Sequence, residues 1–376
     1  MRTNKWLSVV LLSGALLVML LPAFGLALPL STQSEQQVTD HGQVVPRQSL
    51  FAGMQAKNNV TVTPEHPVRL PDDHAPHPDF QLEWWYLTFL LEDKNGAPFN
   101  YQFTLFRLAR PEQASNWGEG HIWLGHSSLH TESAHWFSEK LAQQGTGVAG
   151  YSDQPFTFFI DNWLWQSTAP DKLFPARLHS TVEGVSVSLE LTATKPLVKH
   201  GEQGVSFKTA DGVYRSYYYS QPFIDTTGTI NIDGERVAVN GIGWFDHEWT
   251  SQLTDENALG WDWFSLHFDD GRKLMVFTMH VNNRPPHTTG TLISADGRAT
   301  PLERNEIVLT PLQTERVAGR TLPLAWQIQL PEAGIDITTN PFKTKQFNHS
   351  RFPYYEGAIR FSGTHNGKGF MELTGY

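Results

Sequence analysis

The sequence contains no cysteine. This absence excludes disulfide bonds, thiolate nucleophiles, cysteine-ligated zinc and an acyl anchor on a cysteine. It does not exclude an oxidising compartment, because disulfides are permitted there rather than required. Positive charge is also scarce: 28 Lys and Arg residues face 38 Asp and Glu residues, so the net charge is −10. This balance argues against nucleic acid and anionic membrane surfaces as partners.

Two catalytic signatures are missing as well. The chain has no Gly-x-Ser-x-Gly elbow, so a serine hydrolase is disfavoured. A group of histidines lacks the His-Glu-x-x-His spacing of zinc enzymes, and the odd spacing of its first two members places them on opposite faces of a strand. This group comprises His121, His126, His130 and His135. We therefore expect no metal site and no cofactor.

The N-terminus has the features of a signal peptide. Arg2 and Lys5 precede an apolar run over residues 6–21, which is followed by the small residues Gly25 and Ala27. Residues 1–27 are therefore predicted to direct the protein to the periplasm or the exterior and to be removed. The apolar run is close to spanning length, so a retained membrane anchor is the alternative. Polar residues 28–71 are predicted to be an extended leader.

The full chain is 40% apolar and 12% aromatic, which is enough for a sizeable core. Residues 185–191 alternate apolar and polar side chains, as a half-buried strand does. Asn-Gly or Asp-Gly pairs in residues 94–96, 269–271 and 296–297 indicate hairpins. No long segment has a helical period, so we predict an all-β protein. The predicted strands are residues 84–91, 100–108, 156–160, 185–194, 261–268, 273–281, 289–294, 326–330 and 358–363.

The two halves of the chain resemble each other. Trp85-Tyr86 matches Trp263-Phe264, and Glu-Leu-Thr occurs at residues 190–192 and again at 372–374, at nearly the same separation. Together with the length of 376 residues, this suggests a duplicated β-unit. The predicted domains are 72–228 and 229–376, joined around residues 225–235. Chance similarity between β-rich segments is the alternative.

Four motifs resemble those of a known family. They are HPDFQLEWWY at residues 77–86, GWFDHEW at 243–249, GWDWF at 260–264, and YEG at 355–357 with ELTGY at 372–376. The sequence resembles the AttH/CrtC family, secreted or periplasmic proteins that are often labelled secreted hydrolases. The resemblance spans residues 68–376 and implies two tandem lipocalin-like antiparallel β-barrels. Because this family includes carotenoid 1,2-hydratases, and related proteins include fungal cyclases, it also implies a hydrophobic ligand.

The segment 241–264 is the strongest candidate for a site. It interleaves four tryptophans with acids and a histidine, and such a mixture indicates an aromatic-walled polar pocket rather than a plain core. The predicted lining consists of Trp244, Trp249, Trp261 and Trp263. In a strand, Asp246 and Glu248 would face one side, and His247 and Trp249 the other.

Acid catalysis is the chemistry that these residues suggest. Asp262 lies between two tryptophans, a setting that favours the protonated acid, and His247 is suited to orient a water molecule. The resemblance supports a role for His247-Glu248-Trp249, since the hydratases carry His-x-Trp here. Their acid on the following strand has no counterpart in residues 273–281, so Asp262 would have to replace it. Alternatively, Asp246, Glu248 and Asp262 cap turns or pair with arginines.

Two further segments are weaker candidates for the ligand site. Glu83-Trp84-Trp85-Tyr86 is the first-half counterpart of the tryptophan-rich segment, with Glu83 and Trp85 on one face of the predicted strand. Tyr355-Glu356 is predicted near the closure of the second barrel, where Glu356 would contact His247 or an arginine. A structural role is the alternative for both segments.

Two functions therefore remain open. One is a hydratase-type enzyme that adds water to an apolar polyene- or terpenoid-like molecule or rearranges it. The other is a non-catalytic carrier or sensor of a lipophilic compound in the cell envelope, where other envelope proteins are conceivable partners.

Overall fold

The computed structural model describes residues 60–109, 120–253 and 257–376, and these form an almost entirely β structure. The predicted signal peptide and the predicted leader up to residue 59 lie outside the described residues. Within the described ranges, no helix has the length and apolarity needed to cross a bilayer. The described residues contain three short 3-10 helices, at Asp72–His74, Arg304–Glu306 and Pro331–Ala333.

Thirteen strands of the described residues form the first sheet. They are β1 Leu82–Asp93, β2 Pro98–Ala109, β3 His121–His130, β4 His135–Gln143, β5 Ala149–Asp153, β6 Phe156–Ile160, β7 Trp163–Ser167, β8 Ala176–Val182, β9 Val185–Ala193, β10 Val198–Lys199, β11 Val205–Phe207, β12 Arg215–Ile232 and β13 Glu235–Thr250.

Ten strands of the described residues form the second sheet. They are β14 Ala258–Phe268, β15 Lys273–Val281, β16 His287–Ile293, β17 Ala299–Leu302, β18 Val308–Val317, β19 Arg320–Leu330, β20 Ile335–Pro341, β21 Phe347–Asn348, β22 Tyr354–Gly363 and β23 Gly367–Leu373. The nine predicted strands all coincide with strands of the two sheets, and the three predicted hairpins join neighbouring strands.

Both sheets are antiparallel and share a strand order. The first runs β4-β3-β2-β1-β13-β12 and then through β9 to β5, whereas the second runs β17-β16-β15-β14-β23-β22 and then through β20 to β18. The ends of the first sheet approach each other, since β3 and β4 lie against β6 and β8, which makes it a nearly closed barrel. The second sheet is a half-barrel. The predicted all-β, lipocalin-like fold is therefore confirmed.

The chain passes from one sheet to the other later than predicted. Residues 225–235 belong to the hairpin between β12 and β13, and β13 lies in the middle of the first sheet between β1 and β12. The change of sheet falls between Thr250 and Ala258 rather than at residues 225–235. A division into two independently folding domains stays a prediction.

The Glu-Leu-Thr match is not a structural repeat. Glu190 lies on β9, which two strands separate from β1, whereas Glu372 lies on β23, which pairs directly with β14. In the strand order, β13 is the counterpart of β23. The duplication is thus visible in topology, but short sequence matches do not locate it.

The interior of the first barrel is filled with side chains. Large aromatic residues that include Trp85, Phe158, Trp165 and Phe245 are almost completely buried there. Their ring centroids lie 4.8–5.1 Å apart in successive contacts, which is the spacing of packed aromatic pairs. A second apolar cluster lies between the two sheets and includes Trp244 and Trp263. The packed interior of the first barrel therefore leaves little room for a ligand.

The close pairing of β1 and β13 depends on Gly241. A Cβ atom there would lie 2.1 Å from the backbone oxygen of Leu90, an overlap that only a backbone shift relieves. We expect Gly241→Ala to lower the free energy of unfolding by about 1–3 kcal/mol, measured by urea denaturation. Gly150→Ala is the control, since its Cβ would meet only the Phe159 ring at 3.3 Å. Equal losses in both variants would contradict this account.

Candidate functional site

Two adjacent strands divide their side chains between two environments. In the register of β1 and β13, Trp84 lies opposite Glu248 and Tyr86 opposite Asp246. These four residues face the second sheet, because side chains alternate along a strand. The intervening Glu83, Trp85, His247 and Trp249 face the barrel interior. One pair of strands therefore builds two polar clusters, back to back.

The cluster between the sheets lines a small cleft with a volume of about 40 Å³. Seven of its eleven lining residues are aromatic, and three are carboxylic acids. The lining residues are Trp84, Tyr86, Phe106, Tyr218, Asp246, Glu248, Leu253, Trp261, Trp263, Phe277 and Glu372. Residues from both sheets contribute, so the cleft requires the two sheets together.

The aromatic walls have defined geometry. The rings of Trp84 and Trp261 are nearly parallel, with centroids 6.2 Å apart, and connect the two sheets. Tyr86 meets Trp263 edge to face at 5.2 Å. The indole N–H of Trp261 donates to Glu372 Oε1 at 2.9 Å. Rings held by such contacts are fixed surfaces for an apolar ligand.

The structure separates the four predicted pocket tryptophans. Trp261 and Trp263 lie on the cleft wall. Trp244 stands behind it, where its indole N–H donates to Asp246 Oδ1 at 2.7 Å. Trp249 faces the barrel interior and stacks on His77 at 3.9 Å. The prediction that all four tryptophans line one pocket is therefore wrong, because β13 turns alternate residues to opposite sides.

The cleft holds carboxyl groups in an unusual protonation state. Burial raises the pKa of Asp246 to about 7, although Ser220 and Trp244 donate hydrogen bonds to its carboxylate. Burial also raises the pKa of Glu372 to about 8, against the opposing hydrogen bond from Trp261. Glu356 lies opposite Glu372 in the register of β22 and β23, and burial raises its pKa well above the usual range. Near pH 7, Glu372 thus faces the aromatic cleft mainly as the neutral acid, whereas Asp246 is close to the midpoint of its titration.

Glu248 differs from these acids because a cation compensates it. Lys208 Nζ lies 2.7 Å from Glu248 Oε1, and both side chains are buried. The hydroxyl of Ser216 also donates to this carboxylate. A buried ion pair therefore lies beside the two cleft acids whose pKa values are raised.

The second cluster lies inside the barrel and centres on Glu83. Its Oε1 accepts hydrogen bonds from His77 Nδ1 at 2.7 Å and His247 Nε2 at 2.9 Å, and its Oε2 accepts from Arg107 Nε at 2.8 Å. The other nitrogen of His247 contacts the Tyr219 hydroxyl at 3.0 Å. These contacts cross β1, β2, β12 and β13, and they fix the alignment of the strands that form the cleft.

Charge in this cluster is balanced by pairing. Burial alone would raise the pKa of Glu83, but the charges of Arg107 and His77 and two imidazole hydrogen bonds hold it well below its usual range. Burial lowers the pKa of His247 to about 4, despite the neighbouring Glu83. His247 is therefore neutral near pH 7, and Glu83 is ionised.

His77, Glu83 and His247 also have the donor types of a metal site. Their ligand atoms lie within 4.8 Å of one another. In the described residues this is the group with that spacing, and it contains none of the four clustered histidines named above. A cation here would compete with Arg107 and with both imidazole protons for Glu83, so the present contacts favour the hydrogen-bonded network.

The structure does not bring together the two residues of the predicted acid–base pair. Asp262 lies on the opposite face of β14 from Trp261 and Trp263, where it contacts His280 Nε2 at 2.6 Å and the Tyr376 hydroxyl at 2.7 Å. His247 lies on the barrel side of β13. Neither residue lines the cleft, and they do not meet.

The two weaker candidates are divided in the same way. Trp84 and Tyr86 line the cleft, whereas Glu83 and Trp85 face the barrel interior. Glu356 accepts a hydrogen bond from the Tyr86 hydroxyl, rather than contacting His247 or an arginine as predicted. Tyr355 is buried in the core of the second sheet.

Several cleft residues were not predicted. Glu372 belongs to a quoted motif, but its position beside Trp261 depends on the pairing of β14 with β23. Tyr218, Phe106 and Phe277 looked like ordinary strand residues. Lys208 had no sequence signal, because it follows the short strand β11 and reaches the cleft only through the folded chain.

The Glu83 network generates a stability prediction. Since the pKa of Glu83 is lowered on folding, its stabilisation is present above the ordinary value of 4.5 and is lost as the pH falls through the folded value. His247 adds to this loss between pH 6.5 and about 4, because its pKa is also lowered. His77 acts in the opposite sense. Its pKa is raised on folding, so its stabilisation of the folded state is present at low pH and is lost at higher pH.

We expect Glu83→Gln to lower the free energy of unfolding at pH 7 by about 3–5 kcal/mol, since it leaves Arg107 buried without its partner. The variant should also lose part of the acid sensitivity of the wild type. Glu190→Gln is the matched control, because its pair with Arg177 is exposed and is worth at most about 1 kcal/mol. Urea denaturation between pH 4 and 8 measures both; similar effects in the two variants would refute the role of the network.

Comparisons with known proteins agree with this architecture. The AttH-like family profile matches residues 61–376. The crystal structure of an AttH protein from Nitrosomonas europaea is 31% identical, has a TM-score of 0.77, and covers 84% of this chain and 99% of that one. No curated protein matches the chain.

Two more distant structures share the fold. Kievitone hydratase from Nectria haematococca is 18% identical, with a TM-score of 0.64 and coverage of 88% of this chain and 98% of that one. CghA in complex with Sch210972 is 10% identical, with a TM-score of 0.51 and coverage of 85% and 97%. At these identities the similarity concerns the fold. With its profile match over residues 61–376, the chain belongs to the AttH-like family.

Proposed function

We propose that the cleft between the sheets binds a hydrophobic unsaturated small molecule and adds water to it, or rearranges it, by acid catalysis. The observation that carries this proposal is the carboxyl of Glu372, which is kept as a neutral acid near pH 7 and faces an aromatic cleft. General acids work best when their pKa lies near the operating pH. The N-terminal sequence favours action outside the cytoplasm.

The residues suit the protonation of a double bond. Glu372 would donate its carboxyl proton to one alkene carbon, so that the π electrons form a new C–H bond and the neighbouring carbon becomes cationic. The faces of Trp84, Trp261 and Trp263 would stabilise that cation. A water molecule would then add and give up a proton to Asp246, and transfer of that proton from Asp246 back to Glu372 through solvent would restore the acid. The net reaction is the addition of one water molecule.

Asp246 is suited to the water step. Its pKa of about 7 leaves a substantial ionised fraction near neutral pH, whereas Glu372, with a pKa of about 8, is mostly protonated. Two carboxyl groups with pKa values near neutral pH allow one to donate a proton while the other accepts one. This assignment replaces Asp262 and His247, which lie away from the cleft.

A hydratase and a ligand-bound protein occur among the structures of similar fold, which supports the hydrophobic-ligand reading. The alternative is a non-catalytic carrier that uses the same aromatic walls. A carrier has no need for neutral carboxyl groups in its binding cleft, because an apolar wall would bind the ligand at lower desolvation cost. The buried acids therefore favour the enzyme.

Ligand binding should depend on the tryptophans of the cleft. We expect β-ionone, a small unsaturated probe, to quench tryptophan emission, and Trp261→Leu to weaken its binding about tenfold through loss of ring contacts. Trp165→Phe is the control, since this residue is buried in the barrel core and should leave the affinity unchanged. Equal affinity in wild type and Trp261→Leu would place the probe elsewhere.

Catalysis should depend on Glu372. With the lipophile that co-purifies from the native envelope, we expect Glu372→Gln to bind nearly as wild type but to lose conversion by about 10²–10⁴-fold. Wild-type conversion should fall as the pH rises above about 8, because the acid is then deprotonated. The measurement is isotope incorporation from labelled water into the ligand.

The matched control for Glu372→Gln is Asp262→Asn, a change at a buried carboxyl on the other face of β14. This variant should keep conversion as long as a thermal melt shows that it is folded. A wild type that binds the lipophile but incorporates no label would leave the carrier function instead. Lost conversion in Asp262→Asn alone would restore the assignment made from sequence.

A further inference from the structure

Lys208 lies directly behind the cleft wall, against the lining residues Glu248, Tyr218 and Phe277. Lys208 follows β11, and its backbone N–H donates to the backbone carbonyl oxygen of Tyr214 at 2.8 Å. This hydrogen bond fixes the position from which the lysine side chain starts. The ammonium lies over the rings of Tyr218 at 4.7 Å and Phe277 at 4.1 Å. These rings belong to different sheets and both line the cleft. The fully buried ammonium therefore lies against residues that line the cleft from both sheets.

Stability does not explain this residue. Burying an ammonium and a carboxylate costs several kcal/mol for each ion, and apolar residues of similar size usually serve packing as well or better. The surrounding cluster between the sheets is apolar and would accept such residues. A buried Lys208–Glu248 pair at a ligand cleft is therefore better explained by contact with the ligand.

The ammonium also keeps unused donor capacity. A lysine ammonium has three N–H donors. Glu248 Oε1 lies within ion-pair distance, but in the described parts of the chain no atom accepts a well-directed hydrogen bond from Lys208 Nζ. A buried donor without an acceptor is costly, and a ligand oxygen would remove that cost.

We propose that Lys208 anchors a neutral oxygen, a carbonyl or a hydroxyl, on the ligand of the cleft. This inference rests on the proposed function and narrows its substrate class from hydrocarbons to oxygenated unsaturated molecules. A carboxylate is excluded by charge, because Glu248 already neutralises Lys208 and Asp246 and Glu372 add negative charge when they ionise. A hydroxyl would additionally donate to Glu248.

Four probes with one carbon skeleton type test this proposal: myrcene, geraniol, geranial and geranic acid. Titrations of the full chain at pH 7, followed by tryptophan emission, should give geraniol and geranial about 10- to 100-fold tighter binding than myrcene, the effect of a hydrogen bond to a charged donor. Geranic acid should bind more weakly than geranial. In Lys208→Met, the advantage of the oxygenated probes should disappear while myrcene affinity stays the same.

Lys208→Met leaves Glu248 buried without its cation and is at risk of misfolding. The double variant Lys208→Met with Glu248→Gln removes both charges and keeps the shapes, so it serves as the second test, with a thermal melt to confirm folding. An advantage of geranial that persists in the folded variants would overturn the role of Lys208. The same holds if geranic acid binds wild type most tightly.

The outcomes separate this inference from the proposed function. If wild type binds myrcene as tightly as geranial, the cleft binds apolar ligands and only the anchoring role fails. If wild type binds none of the four probes, the cleft is no site for such molecules and both proposals fail. Lost conversion in Glu372→Gln with unchanged probe selectivity would support the acid and the anchor as separate functions.

Discussion

The buried carboxylate of Glu83 is the interaction on which the rest of the structure depends. It joins Arg107 on β2 and His247 on β13 to β1, and the same strands carry the cleft residues on their other face. A shift of one residue in this pairing would exchange the two faces of a strand. It would move Glu83 into the cleft and Trp84 into the barrel. The charge network inside the barrel therefore determines which side chains reach the ligand site.

The cleft shows how burial creates chemistry from ordinary residues. Desolvation raises the pKa of Asp246 and Glu372, while indole and hydroxyl donors oppose the shift and hold the side chains in place. The balance leaves the pKa values of both acids near neutral pH, where proton transfer is most effective. Glu248 remains distinct because the ammonium of Lys208 lies beside it. Burial and pairing thus give the three carboxyl groups of one small cleft different surroundings.

The duplicated architecture has become asymmetric. Both sheets begin with a four-stranded meander and return through a pair of strands that completes the middle of the sheet. The first sheet closes on its own aromatic core, whereas the second remains a half-barrel and packs a tryptophan-lined face against the first. A lipocalin-like barrel ordinarily offers its interior to a ligand. Here the interior is filled, and the cleft lies between the two sheets instead.

Local pattern determined much of this protein. Aromatic and β-branched runs, alternation and Gly-containing turns predicted the strands, and the tryptophan-rich motifs predicted the family and the position of Trp261 and Trp263. These features depend on neighbours in sequence, so one chain is enough to reveal them. Alternation also separated Asp246 and Glu248 from His247 and Trp249, but it did not say which face meets a ligand. Only the pairing of β1 with β13 and of β14 with β23 decided that Glu372 belongs to the cleft and Asp262 does not. The raised pKa values of Asp246 and Glu372 also arise only in the folded chain, because a carboxyl pKa depends on the groups that surround it in space. The contact between Lys208 and Glu248 likewise forms only when distant strands pack together.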